Sequence, residues 1–113
     1  MLKIYHNARC SKSREGLEIL EKSGREYEVI EYLKEPLSEN ELEQLVKKLD
    51  IAPIQLVRKN EKVWKENYKD KDLSDRELIT VMVKNPKLIE RPVVETERKA
   101  VIGRPPSDIE KLL

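Results

Sequence analysis

The sequence predicts one α/β domain, and three patterns in its 113 residues support that prediction. The chain opens with a strand, a loop, a helix and a second strand. Two capping boxes then precede apolar residues at helical spacing. Near the carboxyl end, two short apolar runs have the alternation of hairpin strands. A chain of this length fits one domain of ordinary size, so we expect residues 1–113 to form a single domain.

The first elements follow from local patterns. The apolar run Leu2–Tyr5 predicts a first strand, which we expect to be central because it leads directly to the chemically distinctive residues. A helical period begins at Lys12 and continues through Leu20, and Gly24 suits the left-handed position just past a helix end. Residues 26–33 are rich in β-branched and aromatic side chains and predict a second strand. Strand, helix and strand in this order imply a parallel pair with a right-handed crossover.

The middle of the chain, about residues 37–85, is predicted to be a mainly helical insertion. Ser38 with Glu41 and Ser74 with Glu77 have the spacing of capping boxes, and apolar residues follow each of them at helical intervals. The first of these patterns predicts a helix over about residues 39–49.

The last part of the chain is predicted to return to strand structure. Residues 92–96 and 99–103 alternate and predict a hairpin. The segment from Pro105 through Leu112 predicts a final short helix. The helical insertion is therefore expected to separate a β-α-β start from a β-hairpin end.

Composition narrows the classes of partner. Charged residues make up 40% of the chain, but 23 basic and 22 acidic residues leave a net charge of only +1. Proteins that coat nucleic acid need a basic excess, and aromatic stacking platforms are scarce at 4%, so we expect no nucleic-acid partner. No apolar run approaches the ~20 residues of a membrane helix. We expect a cytoplasmic monomer that does not bind membranes.

The chain contains one cysteine, Cys10, and one histidine, His6. A thiol is nucleophilic as the thiolate, and a predicted helix start places backbone N–H groups and a positive dipole end beside Cys10. Arg9, Lys12 and Arg14 add nearby positive charge. The alternative is that Cys10 is a small buried apolar residue, as free cysteines often are.

Other polar residues of this loop have two interpretations each. His6 is a candidate base or orienting partner for the thiol, and equally a structural hydrogen-bonding residue. Asn7 is expected to brace the loop. Ser11 and Ser13 are expected either to cap the helix or to donate to a bound anion.

Three arginines stand at the ends of predicted elements: Arg58, Arg91 and Arg104. A guanidinium fork matches a tetrahedral oxyanion and stays charged. Loops at the mouth of a sheet are a place where such residues converge. The alternative is that they are ordinary surface charges.

Four ordered motifs resemble the glutaredoxin-dependent arsenate reductase (ArsC) family. They are Tyr5-His6-Asn7-Ala8-Arg9-Cys10-Ser11-Lys12-Ser13-Arg14, Leu56-Val57-Arg58-Lys59-Asn60, Ile89-Glu90-Arg91-Pro92-Val93-Val94 and Ile102-Gly103-Arg104-Pro105. Together they span essentially the whole chain. The resemblance implies a thioredoxin-like fold with a helical insertion.

The resemblance also implies roles for individual residues. Cys10 matches the nucleophile that attacks arsenic, and His6 matches the histidine that supports its thiolate. The family's three oxyanion-binding arginines match Arg58, Arg91 and Arg104. Supporting positions match as well: Asn7, Ser13 and Arg14 in the first motif, and Pro92 as the proline that is cis in thioredoxin-like folds.

A single cysteine can begin a reduction of arsenate but needs a second thiol from outside to complete it. In the family that thiol is glutathione, followed by glutaredoxin, and we expect both as partners, with no bound cofactor or metal. Two alternatives remain open. One is a glutathione-dependent thiol reductase of another substrate. The other is a non-catalytic Spx-like regulator of RNA polymerase, although Ser13 stands where such proteins usually carry the second cysteine of a redox switch.

Overall fold

The computed structural model describes residues 1–113, which divide into two compact units. The first unit comprises residues 1–35 and 91–113, and the second comprises residues 36–90. The strands are β1 (Leu2–Tyr5), β2 (Tyr27–Ile30), β3 (Val93–Glu95) and β4 (Ala100–Ile102). The α-helices are α1 (Ser11–Ser23), α2 (Glu39–Leu49), α3 (Lys62–Asn67) and α4 (Asp75–Lys84). Short 3₁₀ helices span Pro53–Leu56, Pro86–Leu88 and Pro106–Leu112.

The first unit is built on one four-stranded sheet in the order β2-β1-β3-β4. Strand β1 pairs in parallel with β2, while β3 runs antiparallel to β1 and to β4. The expected central position of β1 is therefore confirmed. Tyr5, the last residue of β1, lies opposite Val93, the first residue of β3. The loop that follows β1 and the segment that precedes β3 consequently lie next to each other, at the same end of the two central strands.

Helix α1 and the last 3₁₀ helix cover this sheet with an apolar core. Its fully or almost fully buried members are Leu2, Ile4, Leu20, Val94 and Ile109. Gly16 allows α1 to come unusually close, because a Cβ there would lie 2.8 Å from both Ile109 Cδ1 and Pro92 Cγ. The missing side chain lets the helix pack directly on Pro92, at the entrance to β3.

The second unit is helical, with α2 packed on α4. Both predicted capping boxes are confirmed: Ser38 caps α2 with Glu41, and Ser74 caps α4 with Glu77. Each serine hydroxyl accepts a hydrogen bond from the backbone N–H of its glutamate, and each glutamate carboxylate accepts one from the backbone N–H of its serine. Two N–H groups at each helix start are therefore hydrogen-bonded.

Two extended segments of the second unit run side by side. Val57 and Ile89 form an isolated antiparallel bridge. The Arg58 N–H donates to the Leu88 carbonyl at 2.7 Å, and the Glu90 N–H donates to the Leu56 carbonyl at 2.8 Å. This pairing fixes Arg58 and Glu90 as neighbours.

Most of the predicted elements are present in the structure, and the bounds of the second strand need correction. The helix predicted over residues 39–49 and the final hairpin are present. The second strand is shorter than the predicted 26–33: it ends at Ile30, because the Lys34 and Glu35 N–H groups turn back onto the Glu31 carbonyl. The predicted insertion, 37–85, falls within the second unit, and the single-domain organisation stays a prediction. None of the helices has the length and apolar character needed to cross a membrane.

Candidate active site

Cys10 is the N-cap residue of α1, at the end of the loop that follows β1. Its backbone is extended, with φ −95° and ψ 122°. The Cys10 carbonyl accepts the Arg14 N–H at 3.0 Å, and the Cys10 N–H donates to the Asn7 carbonyl at 3.0 Å. The backbone N–H groups of Lys12 and Ser13, in the first turn of α1, lie beside the half-buried thiol. Cysteine rather than Ser11 thus occupies the cap position.

Two of the predicted arginines lie at the sulfur. Arg104 Nη2 is 3.6 Å from Cys10 Sγ, and Arg104 Nε donates to the Arg91 carbonyl at 2.9 Å. The Nε bond fixes the plane of the guanidinium and leaves its outer end facing the thiol. The Arg91 side chain also interacts with the sulfur. Cys10, Arg91 and Arg104 therefore form one cationic thiol site within the first unit.

This environment lowers the pKa of the Cys10 thiol. Partial burial is the largest single influence, and it raises the pKa. The Ser13 backbone N–H, the Arg91 guanidinium and the Lys12 backbone N–H together outweigh burial and hold the pKa below its ordinary value. The thiolate is thus favoured by the helix start and by a neighbouring cation, the two devices that activate cysteine nucleophiles.

His6 and Ser13 form a buried pair beneath the loop. Ser13 Oγ lies 2.6 Å from His6 Nδ1 and accepts the Asn7 N–H at 3.0 Å. The Ser13 hydroxyl and the imidazole are joined by one hydrogen bond, so each of these buried polar groups has the other as a partner. Chiefly because it is buried, the pKa of His6 is lowered, with Glu31 and Ser13 partly opposing the shift.

His6 makes no hydrogen bond to the sulfur, and its link to Cys10 passes through Ser13. The Ser13 side chain holds the imidazole, while the Ser13 backbone N–H stabilises the thiolate. This geometry supports His6 as a positioning residue. A direct role for His6 in catalysis stays a prediction.

The loop is braced from both sides. The Asn7 Oδ1 accepts the Arg9 N–H at 3.0 Å, and Arg14 Nη1 donates to the Ala8 carbonyl at 2.9 Å. Asn7 therefore braces the loop as expected, and Arg14 does so as well. The Arg91–Pro92 peptide bond is cis, as the resemblance implies, and the Arg104–Pro105 bond is also cis, which the sequence reasoning missed.

Arg58 belongs to the second unit and is held by acidic neighbours. Its Nε lies 3.3 Å from the Glu61 carboxylate, and its Nη1 lies 3.5 Å from the Glu90 carboxylate. The sequence reasoning did not anticipate either glutamate. The part of Arg58 in oxyanion binding stays a prediction.

Fold and site together define a thioredoxin-like α/β protein whose one thiol is activated at a helix start and flanked by arginines. Comparison with known proteins agrees. The ArsC family model matches residues 5–112, and the chain belongs to this family.

Individual relatives are similar over nearly their full lengths. The Escherichia coli protein YfgD is 48% identical, across 96% of this chain and 92% of its own. An arsenate reductase of Haemophilus influenzae is 42% identical, across 97% of each chain. The solved structure of an arsenate reductase from Vibrio cholerae superposes with a TM-score of 0.94 at 42% identity, covering 99% of this chain and 97% of that one.

Proposed function

We propose that this protein is an arsenate reductase that uses Cys10 as its nucleophile. The observation that carries the proposal is the position of the Arg104 guanidinium, 3.6 Å from the Cys10 sulfur and fixed by the Arg91 carbonyl. Arsenate is a charged tetrahedral oxyanion, and arginine forks with helix N–H groups are the donors that hold such anions. Relatives named arsenate reductases support the same reaction.

The first step forms a sulfur–arsenic bond. The Cys10 thiolate attacks arsenic, one arsenic–oxygen bond breaks, and that oxygen takes up protons and leaves as water. The product is a thiol–arsenate adduct in which arsenic is still in the +5 state. Arg91 and Arg104 offset the negative charge of the attacking sulfur and of the oxyanion, which would otherwise repel each other.

The second step needs two electrons. We propose that glutathione attacks the Cys10 sulfur, so that a Cys10–glutathione disulfide forms and the sulfur–arsenic electron pair leaves with arsenite, now arsenic(III). Glutaredoxin then reduces this disulfide and restores the thiol. The chain's one cysteine supports this scheme, because no second thiol of the same chain can take the place of glutathione.

The test is arsenite production by the purified protein with arsenate, glutathione and glutaredoxin, compared with reactions that omit one component at a time. The proposal expects turnover that needs all three. No arsenite under the full conditions contradicts it. Parallel assays measure reduction of glutathione mixed disulfides and co-elution with RNA polymerase. They identify a thiol reductase of another substrate or a Spx-like regulator if arsenate turnover is absent.

A further inference from the structure

The second unit contains a cavity of about 510 Å³ that the proposed reaction does not use. A cavity of this size lies within the range of small-molecule sites in proteins, roughly 300–1,000 Å³. Apolar side chains form part of its wall, and four lysines stand around it: Lys59, Lys65, Lys69 and Lys71. The cavity therefore combines an apolar surface with a group of positive charges.

The turn that follows α3 brings these lysines together. The Lys69 N–H donates to the Trp64 carbonyl at 2.9 Å, and the Lys71 N–H donates to the Tyr68 carbonyl at 3.0 Å. These bonds fold residues 69–71 back against α3, the helix that carries Lys65. The Lys71 ammonium also lies 5.6 Å from the centre of the Tyr68 ring, within the range of a cation–π contact. Lysines several positions apart in the sequence thus line one cavity.

The charge around the cavity is not balanced within the protein. The whole chain has a net charge of only +1, yet the four lysines here face two aspartates. Lys62, on the same helix, pairs with Glu66 at 3.7 Å, whereas Lys59, Lys65 and Lys69 have no carboxylate within ion-pair distance. Ammonium groups that share a cavity without counter-ions repel one another, and a bound anion relieves that repulsion.

The apolar wall narrows the kind of anion. Trp64 and Leu78 are 6% and 4% exposed, so they belong to the packed interior, and Ile54 extends the same wall. Inorganic phosphate or sulfate would leave this wall in contact with water, whereas a ligand with an apolar part removes it from water. Asp72 and Asp75 supply acceptors for hydroxyl or amino groups of a ligand, and they disfavour a ligand that is only a dense cluster of negative charge.

We propose that this cavity binds a small organic polyanion in which a ring system is joined to several negative charges, the chemistry of a nucleoside polyphosphate. The ring lies against the apolar wall of Ile54, Trp64 and Leu78. The charged groups contact the lysines, which bind phosphate as point charges on flexible stems. The inference does not depend on the proposed function, because every residue of the cavity belongs to the second unit and none belongs to the thiol site.

Trp64 makes the test direct. It is the only tryptophan, so its fluorescence reports on the wall of this cavity. The full protein is titrated with ATP in magnesium-free buffer, with adenosine, which keeps the ring system without the charges, and with tripolyphosphate, which keeps charges without the ring system. We expect ATP to change the fluorescence saturably and to bind about tenfold more tightly than either fragment. The inference is overturned if ATP gives no saturable change below about 1 mM, or if either fragment binds as tightly as ATP.

Lysine variants then locate the site, with affinities measured by calorimetry. Lys65→Gln and Lys69→Gln should each weaken ATP binding about threefold, the effect of one exposed charge pair, and the double variant about tenfold. Lys62→Gln is the matched control, because Lys62 is an exposed lysine of the same helix that pairs with Glu66 and does not line the cavity. It should bind ATP as the unchanged protein does. An equal loss in Lys62→Gln, or no loss in the double variant, overturns the inference. Unchanged circular dichroism and melting temperature confirm that the variants fold.

Discussion

The Ser13 hydroxyl lies 2.6 Å from Nδ1 of His6, and both side chains are buried. Ser13 also presents its backbone N–H to the Cys10 thiolate. The pair therefore links the loop residue that follows β1 to the first turn of α1. Through Ser13, the buried imidazole is held beside the start of α1 without contacting the thiol.

Replacing Ser13 with alanine should destabilise the protein. Ser13→Ala removes the acceptor of the Asn7 N–H and the hydrogen-bond partner of His6, leaving buried polar groups without partners. The expected loss in the free energy of unfolding is about 1–3 kcal/mol. Urea denaturation measures it. Ser11→Ala, at an exposed position of the same helix, should change stability by no more than about 0.5 kcal/mol. Equal effects of the two variants would contradict a structural role for the pair.

Stability should fall as the pH drops below the ordinary histidine range. Burial lowers the pKa of His6 below 6.5, so between the two pKa values the unfolded chain binds more protons than the folded one. The contribution of the neutral His6 to the free energy of unfolding is fully present above pH 6.5, and it is lost as the pH falls through the pKa of the folded state. His6 is the only histidine, so His6→Gln should flatten the part of the stability profile that lies just below pH 6.5. A profile that His6→Gln leaves unchanged would refute this assignment.

The Cys10 thiol should react at lower pH than a free cysteine. The helix N–H groups and Arg91 hold the pKa of Cys10 below its ordinary value, so the rate of alkylation by iodoacetamide should rise at correspondingly lower pH. In Arg91→Ala the midpoint should move upward, because the thiolate loses a cation, while the thiol stays reactive. Arg98→Ala, an exposed arginine in the β3–β4 turn, is the control and should leave the midpoint in place. A midpoint that Arg91→Ala does not move would remove Arg91 from the thiol site.

Arg104→Lys should weaken arsenate binding although the positive charge is kept. A lysine cannot donate to the Arg91 carbonyl and also present a planar fork beside the sulfur. We expect an affinity loss of about tenfold, measured by calorimetry. Arg25→Lys makes the same exchange at an exposed position of the first unit and should bind as the unchanged protein does. Equal affinities for Arg104→Lys and the unchanged protein would show that only charge matters at this position.

Helices and strands were predictable where a pattern of neighbouring residues in the sequence determines them. The capping boxes at Ser38 and Ser74 specify helix starts within four residues, and the run Leu2–Tyr5 leads directly to the loop of Cys10. Arg91 and Arg104 could be predicted from the sequence only as candidate oxyanion-binding residues. Their geometry depends on the pairing of β3 with β4, which brings Arg104 to the carbonyl of a residue 13 positions earlier.

Long-range polar pairs escaped the sequence reasoning for the same reason. Glu95 is buried in β3, where it accepts a hydrogen bond from the Tyr5 hydroxyl of β1. From the sequence alone, a glutamate among other charged residues is expected to be exposed to solvent. The partner that accounts for the burial of Glu95 is 90 residues away in the chain. The carboxylates that hold Arg58 are likewise set by chain segments that meet only in the folded protein.

The central claim is that Cys10 is the nucleophile of an arsenate reduction completed by external thiols. The most direct measurement is the rate of arsenite formation by the unchanged protein and by Cys10→Ser, with glutathione and glutaredoxin present at equal concentrations. The account predicts steady turnover for the former and, for Cys10→Ser, no more arsenite than the reaction without protein gives. Arsenite formation by Cys10→Ser at the unchanged rate would contradict it.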